Sequence, residues 1–289
     1  MEEKTELYKV RTISERFAAT NDFVSENWRV LAKNILPVGL ILSLPVGICM
    51  HYVVKCVLTM LENPMLISEM LWAEAGLFIT ILLFSLFICG TTGAILHQYA
   101  QKTLTPETGW AGLKKDFFPI IGKILIQALF IGLIVTVFTV IISVASVFLN
   151  NSLHFFATVD AMTQSLTILV MALLIIFIPS FFLMQYPVYF EQASAWKGIT
   201  KGFKWGFKYW GSTFLSTFLG YLILWMCSYI VTMPYIVYLM FHIWGGGGGW
   251  IGYILSIFMS IPLVFLQPLY IIFVGFQYTS IASRLSCDN

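Results

Sequence analysis

Four lysines, Lys197, Lys201, Lys204 and Lys208, recur at helical spacing within the segment from Trp196 to Trp210, WKGITKGFKWGFKYW. Advanced by about 100° per residue, they fall in one stripe roughly 60° wide. Ammonium groups so placed can hold the phosphates of anionic lipid head groups, at about 1 kcal/mol for each basic residue near the surface. Trp196, Ile199, Phe203, Phe207 and Trp210 form a second stripe, and Gly198, Gly202 and Gly206 a third. The pattern predicts a helix in a membrane interface, with its apolar side in the acyl boundary and its lysines toward head groups. The same lysines also serve as an orientation signal. The glycines either admit close packing of another helix or loosen this one, since each costs about 1 kcal/mol relative to alanine.

Other chemistry is sparse. His51, His154 and His242 fall on the side opposite the lysines, with Glu62, Glu69, Glu74 and Asp160. Imidazoles and carboxylates together could ligate a metal, but no HExxH or other close ligand spacing occurs, and no metal or cofactor is expected. No Ser-His-Asp, Cys-His or paired-carboxylate arrangement marks a catalytic centre, so no catalytic residue is assigned. The apolar runs contain hydroxyls and amides such as Gln127, Thr136, Ser180, Thr232 and Gln267, the currency of helix–helix hydrogen bonds, and no ionisable group of the kind ion-coupled transport uses. Gly245 to Gly249 lacks the Lys-Ser/Thr of a phosphate loop and reads as a hairpin connection. Asn150-Asn151-Ser152 is a glycosylation sequon, relevant only in a eukaryotic host. The five cysteines form no CxxC pair, and Cys287, third from the end, makes no prenylation box.

The elements that must carry these residues are membrane spans. Of 289 residues 59% are hydrophobic and 10% charged, with mean hydropathy +0.86, whereas about a quarter of a soluble domain is charged. The net charge of +2 and the lack of any recognisable motif argue against nucleic acid as a partner. The charged, amphipathic amino terminus does not read as a cleavable signal peptide. Six runs free of Asp, Glu, Lys and Arg match or exceed the ~20 residues that cross a bilayer. They are Ile35–Val54, Gly76–Leu96, Ile124–Leu149, Ser165–Tyr189, Thr213–Phe241 and Ile251–Phe276. Fifteen of the sixteen basic residues lie on alternate sides of these spans, Lys55 being the exception. By the positive-inside rule both termini are cytoplasmic, and the partner surface is an anionic lipid leaflet.

Internal repetition is also visible. Gln98-Tyr99, Gln185-Tyr186 and Gln277-Tyr278 end the even-numbered spans, against roughly 0.4 such pairs expected by chance from this composition. They follow Trp28, Phe118 and Trp210 by 70, 67 and 67 residues. This predicts an all-α protein of one integral membrane domain with three helical-hairpin repeats, over about 10–102, 103–192 and 193–284, and a short tail at 285–289. Each repeat opens with an amphipathic helix on the cytoplasmic face. The first such helix lies in residues 1–34, where Val10, Ile13, Phe17, Val24, Trp28 and Leu31 keep helical spacing. The second is expected to be shortened by Pro106 and Pro119. Trp28, Trp196, Phe203, Phe207, Trp210, Tyr99, Tyr186 and Tyr278 are the expected interfacial anchors.

The stretches RTISERFAATNDFVSENWRVLAKNILPV and AWKGITKGFKWGFKYWGSTF resemble the amphipathic helices before spans one and five of a bacterial superfamily of six-helix membrane proteins. That superfamily includes the membrane domain attached to some glycerophosphodiester phosphodiesterases. The catalytic domain of those fusions is absent, so the resemblance implies a fold and a cytoplasmic-membrane location, without an activity. The expected role is a non-enzymatic scaffold, assembly factor or lipid-interacting component. The alternatives are a carrier or scramblase of lipids or other amphiphiles, and a membrane enzyme acting on a lipid head group.

Overall fold

Thr12 and Glu15 open the first helix with a reciprocal cap. Thr12 N–H donates to Glu15 Oε2 (2.6 Å), and Glu15 N–H lies 3.4 Å from Thr12 Oγ1, so two amides with no intrahelical partner are both satisfied. From there the computed structural model, which describes residues 7–62, 67–153, 159–245 and 250–287, is helical and, among those residues, free of strand. The helices are α1 (Ile13–Glu62), α2 (Ile67–Ala100), α3 (Trp110–Leu153), α4 (Val159–Leu183), α5 (Tyr186–Glu191), α6 (Ala195–Lys208), α7 (Trp210–Gly245), α8 (Ile251–Ser260) and α9 (Leu263–Cys287).

Among the described residues six helical segments are long and apolar enough to cross a membrane: α1, α2, α3, α4 with α5, α7, and α8 with α9. At 1.5 Å per residue α1 is about 75 Å long and α3 about 66 Å, more than twice the ~30 Å hydrocarbon core. Each therefore combines a spanning half with a long amino-terminal extension. Ile41, Phe78, Leu129 and Ile230 are all more than half exposed, an apolar outer surface suited to lipid.

Two expected spans are broken. The fourth stops at Met184–Gln185 before α5 resumes, and the sixth turns at Ile261–Pro262 between α8 and α9. Pro262 has no amide hydrogen to continue the ladder, and its carbonyl instead accepts from Phe265 and Leu266 (3.0 and 2.9 Å). Pro119, by contrast, does not shorten its helix, because α3 runs through it unbroken.

The chain forms two compact units, Met1–Ile121 with Phe218–Asn289, and Gly122–Thr217. Their boundaries fall inside α3 and α7 and so cut across the three hairpins expected from the sequence. The reason lies in the first unit, where α1 packs on α8 along a seam of small residues. Gly39 faces Val264, Ser43 faces Ser260, Gly47 faces Ser256 and Ile257, and His51 faces Gly252. Each step is four residues on both sides, the register of antiparallel helices in close contact, and the last partner, Val264, lies in the first turn of α9. A Cβ on Gly47 would stand 2.5 Å from Ile257 Cα and 2.8 Å from Ser256 O, and one on Gly252 would enter the His51 ring. Ser260 Oγ donates across the seam to Ser43 O (2.8 Å). Outside the seam α1 leaves this register. Arg11 N–H donates to Ser280 Oγ (3.0 Å), and Phe17 stacks on Phe273 with centroids 4.3 Å apart. The amino-terminal part of α1 thus crosses α9 instead of following it.

Candidate functional site

Helix α6 carries the lysine, aromatic and glycine stripes, and the second unit gives each a different surrounding. Ser194 caps it, accepting from Lys197 N–H (3.3 Å). The glycine face is buried against the end of α4. A Cβ on Gly202 would lie 2.7 Å from Met184 Cα and 2.8 Å from Met184 N, one on Gly206 would meet the Ser180 backbone, and one on Gly198 would collide with the Gln127 amide. Trp210 Nε1–H then donates to Ile176 O (2.9 Å). From Gly202 to Trp210 the partners step back from Met184 to Ile176, eight residues on each helix. The helix therefore runs antiparallel alongside α4. It is not a free-standing surface helix, and of its two sequence readings the glycine stripe follows that of close packing.

The break at Met184 makes this possible. Its carbonyl, released from the helical ladder, accepts from Gln127 Nε2 on α3 (2.7 Å). Lys123 Nζ on α3 donates to Gln192 O (2.7 Å), where the chain turns with Gln192 at φ 49°. A neutral amide at the α4–α5 break and one cation at the α5–α6 turn thus fasten this stretch to α3.

On the aromatic side, Phe203 packs edge-on to Phe130, Phe177 and Phe181, and Phe207 to Phe177. Ile199 is buried, while Trp196 remains 65% exposed beside Phe130. The lysine face points outward. Lys197, Lys204 and Lys208 are exposed, and Lys201 is half-buried and paired with Glu191, its Nζ 2.8 Å from Oε1 and 2.5 Å from Oε2. Lys201 Nζ also sits 5.1 Å from the Trp205 ring, and Lys208 Nζ lies 5.4 Å from that of Tyr209. At roughly 30% exposure on each side, the Lys201–Glu191 pair contributes little stability, about 0–1 kcal/mol. Its effect is to reduce the outward charge at this one position.

The remaining expected anchors divide. Trp28 is exposed, whereas Tyr186 and Tyr278 are 3% and 0% exposed. These two rings are core residues and do not reach a lipid interface; Tyr186 packs on Tyr189 and Phe190. Tyr99 is half-buried against Phe23. The Gln-Tyr pairs differ in what they hold. Gln98 Nε2 donates to Gly112 O and Asp116 Oδ2 (3.0 Å each), Gln185 Oε1 accepts from Tyr189 OH (2.9 Å), and Gln277 is fully buried.

His51 is part of the first unit's packing. It is 5% exposed, with Nδ1 2.9 Å from Tyr235 OH, and its ring centroid is 4.4 Å from that of Tyr253. His154 lies outside the described residues, and so does the side chain of His242. Among the described residues no three His, Cys, Asp or Glu side chains are grouped as metal ligands would be.

With six helical segments able to span a bilayer among the described residues, none of them in strand, and an apolar exterior, this is a multi-pass membrane protein. Compared with protein-family models, curated proteins and solved structures, the chain matches none.

Proposed function

We propose that this protein is a non-enzymatic component of the cytoplasmic membrane that engages anionic lipid through the lysine face of α6. One observation carries the reading. The glycine face of α6 is fixed on α4 and Phe203 lies among phenylalanines, and the outward side carries the lysines, flanked by the exposed Trp196 and Phe207. Gly206 is level with Ser180 and Trp210 with Ile176, so Lys208 stands about one and a half turns inside the end of α4. Head groups in contact with all four lysines would surround those last turns, helped by the long reach of lysine side chains toward water.

Orientation belongs to the same proposal, with both termini cytoplasmic because the basic segments alternate. Cys287 is exposed at the end of α9 and tests it directly. A membrane-impermeant thiol reagent is expected to label Cys287 only after the cytoplasmic face is opened, with Cys287→Ser as the blank. Labelling from outside intact cells would reverse the topology. The long α1, α3 and α6–α7 segments, each followed by an apolar return, support the three-hairpin repeat and with it membership of the six-helix superfamily.

Replacing Lys197, Lys201, Lys204 and Lys208 together by glutamine should lower retention of phosphatidylglycerol and cardiolipin in native mass spectrometry. Lys201→Gln alone should change it least, because Glu191 already offsets that charge. Unchanged retention in the quadruple variant would refute the lipid assignment.

A further inference from the structure

In the first unit the crossing of α1 over α9 leaves a cavity of about 320 Å³ between the amino-terminal half of α1, α7 and α9. That is at the lower end of the ~300–1,000 Å³ typical of small-molecule sites. Its walls include Phe17 and Val24 of α1, Ile223 and Leu224 of α7, and Leu269 and Phe273 of α9. Polar groups are few. Thr20 Oγ1 donates to Arg16 O within its own helix (2.8 Å), Asn21 is exposed, and Tyr270 is the third polar residue of the lining. A space so lined gives water few of the two to four partners it needs. It suits an apolar occupant.

Position and charge select which one. The α9 wall, Leu266 to Phe273, lies four to eleven residues before Gln277. Counted along α9 from Gln277, where the sequence ends the sixth span, this is roughly 6–16 Å, about the thickness of one leaflet of a ~30 Å core. Beyond Phe273, the Arg11 guanidinium lies 5.1 Å from the Phe276 ring, Arg16 Nη2 donates to Arg11 O (2.9 Å), and Arg16 is within electrostatic reach of both Arg11 and Arg284. The Arg11 and Arg16 side chains are buried, 4% and 3% exposed, and Arg284 is exposed; with Glu15 also near Arg16, the end of α9 beyond the cavity carries a net positive charge. We propose that this cavity holds one acyl chain of an anionic phospholipid, whose head group lies toward Arg11, Arg16 and Arg284. The site shares no residue with the lysines of α6, so either can fail without the other.

The test uses the full chain in vesicles containing phosphatidylglycerol or phosphatidylcholine with the same diazirine-bearing acyl chain, with photoadducts mapped by mass spectrometry. Phosphatidylglycerol should label peptides carrying Phe17 to Val24 and Ile223 to Leu224 about fivefold more than phosphatidylcholine, the advantage of about one basic group near an anionic lipid. Ile223→Trp with Leu269→Trp should fill the cavity and remove most of that label, and Ile230→Trp, on an exposed apolar position outside it, should not. Should the double variant unfold, competition on the unaltered protein decides, since excess unlabelled phosphatidylglycerol must displace the adducts saturably. Equal labelling by both lipids, label spread evenly over the Ile230 face, label that survives the double substitution or does not saturate, or capture of a second copy of the chain at the cavity would each overturn the assignment.

Discussion

Gly47→Ala is expected to destabilise the protein, although in an isolated helix it would do the reverse. Alanine gains about 1 kcal/mol of helix propensity over glycine. Here the added methyl meets Ile257 Cα, Ile257 N and Ser256 O at 2.5–2.8 Å, and these are backbone atoms that cannot rotate away. The helices must separate, which weakens the Ser260–Ser43 hydrogen bond and the neighbouring contact of Gly39 with Val264. Overpacking typically costs about 1–3 kcal/mol. A contact against backbone belongs at the upper end, leaving a net loss of about 1–2 kcal/mol, and Gly47→Leu should prevent α1 and α8 from closing at all. Gly132→Ala is the control, because nothing outside its own helix approaches its Cβ position; it should be neutral or slightly stabilising. Denaturant titration in mild detergent separates the two cases. Equal midpoints for Gly47→Ala and Gly132→Ala would rule out the seam.

The second large effect is at Gly202. Its Cβ position is 2.6–2.8 Å from Met184 Cβ, Cα and N, so Gly202→Ala must lift α6 from α4. Because Trp210 Nε1 bonds Ile176 O and Gln127 bonds Met184 O on either side, the strain spreads to both contacts. Faster hydrogen exchange over residues 195–208 is expected, together with weaker retention of anionic lipid, since the lysines lose their common orientation. Gly211→Ala, with an open Cβ position, should leave both unchanged. Exchange in Gly202→Ala identical to that of the unaltered protein would mean that α6 does not rest on its glycines.

The spans and the three stripes of α6 were legible in the sequence because they are local. Runs of apolar residues and spacings of three and four lie within one helix and need no partner to be recognised. The partner of the glycine stripe was not legible. Nothing in Gly198, Gly202 and Gly206 indicates that Ser180 and Met184 will receive them, since that depends on the break at Met184 and the turn at Gln192. The α1–α8 seam was missed for the same reason. Gly39, Ser43 and Gly47 are unremarkable within an apolar run until Gly252, Ser256 and Ser260 are laid against them. Tyr186 and Tyr278 show a different ambiguity. A tyrosine at a span end fits an aromatic belt or a core equally well by type, and burial decided for the core.

The seam also sets an order on the making of the protein. Gly39 emerges from the ribosome 225 residues before its partner Val264. At ~5–20 residues per second the first span waits roughly 10–45 s for the helices that cover it. Throughout that interval its glycine and serine face meets lipid, a translocase or a chaperone in place of α8. A chain truncated before Gly252 would be inserted with that face permanently bare, which gives membrane quality control a ready mark of incomplete synthesis. Closure of the seam therefore cannot precede synthesis of residues 251–264.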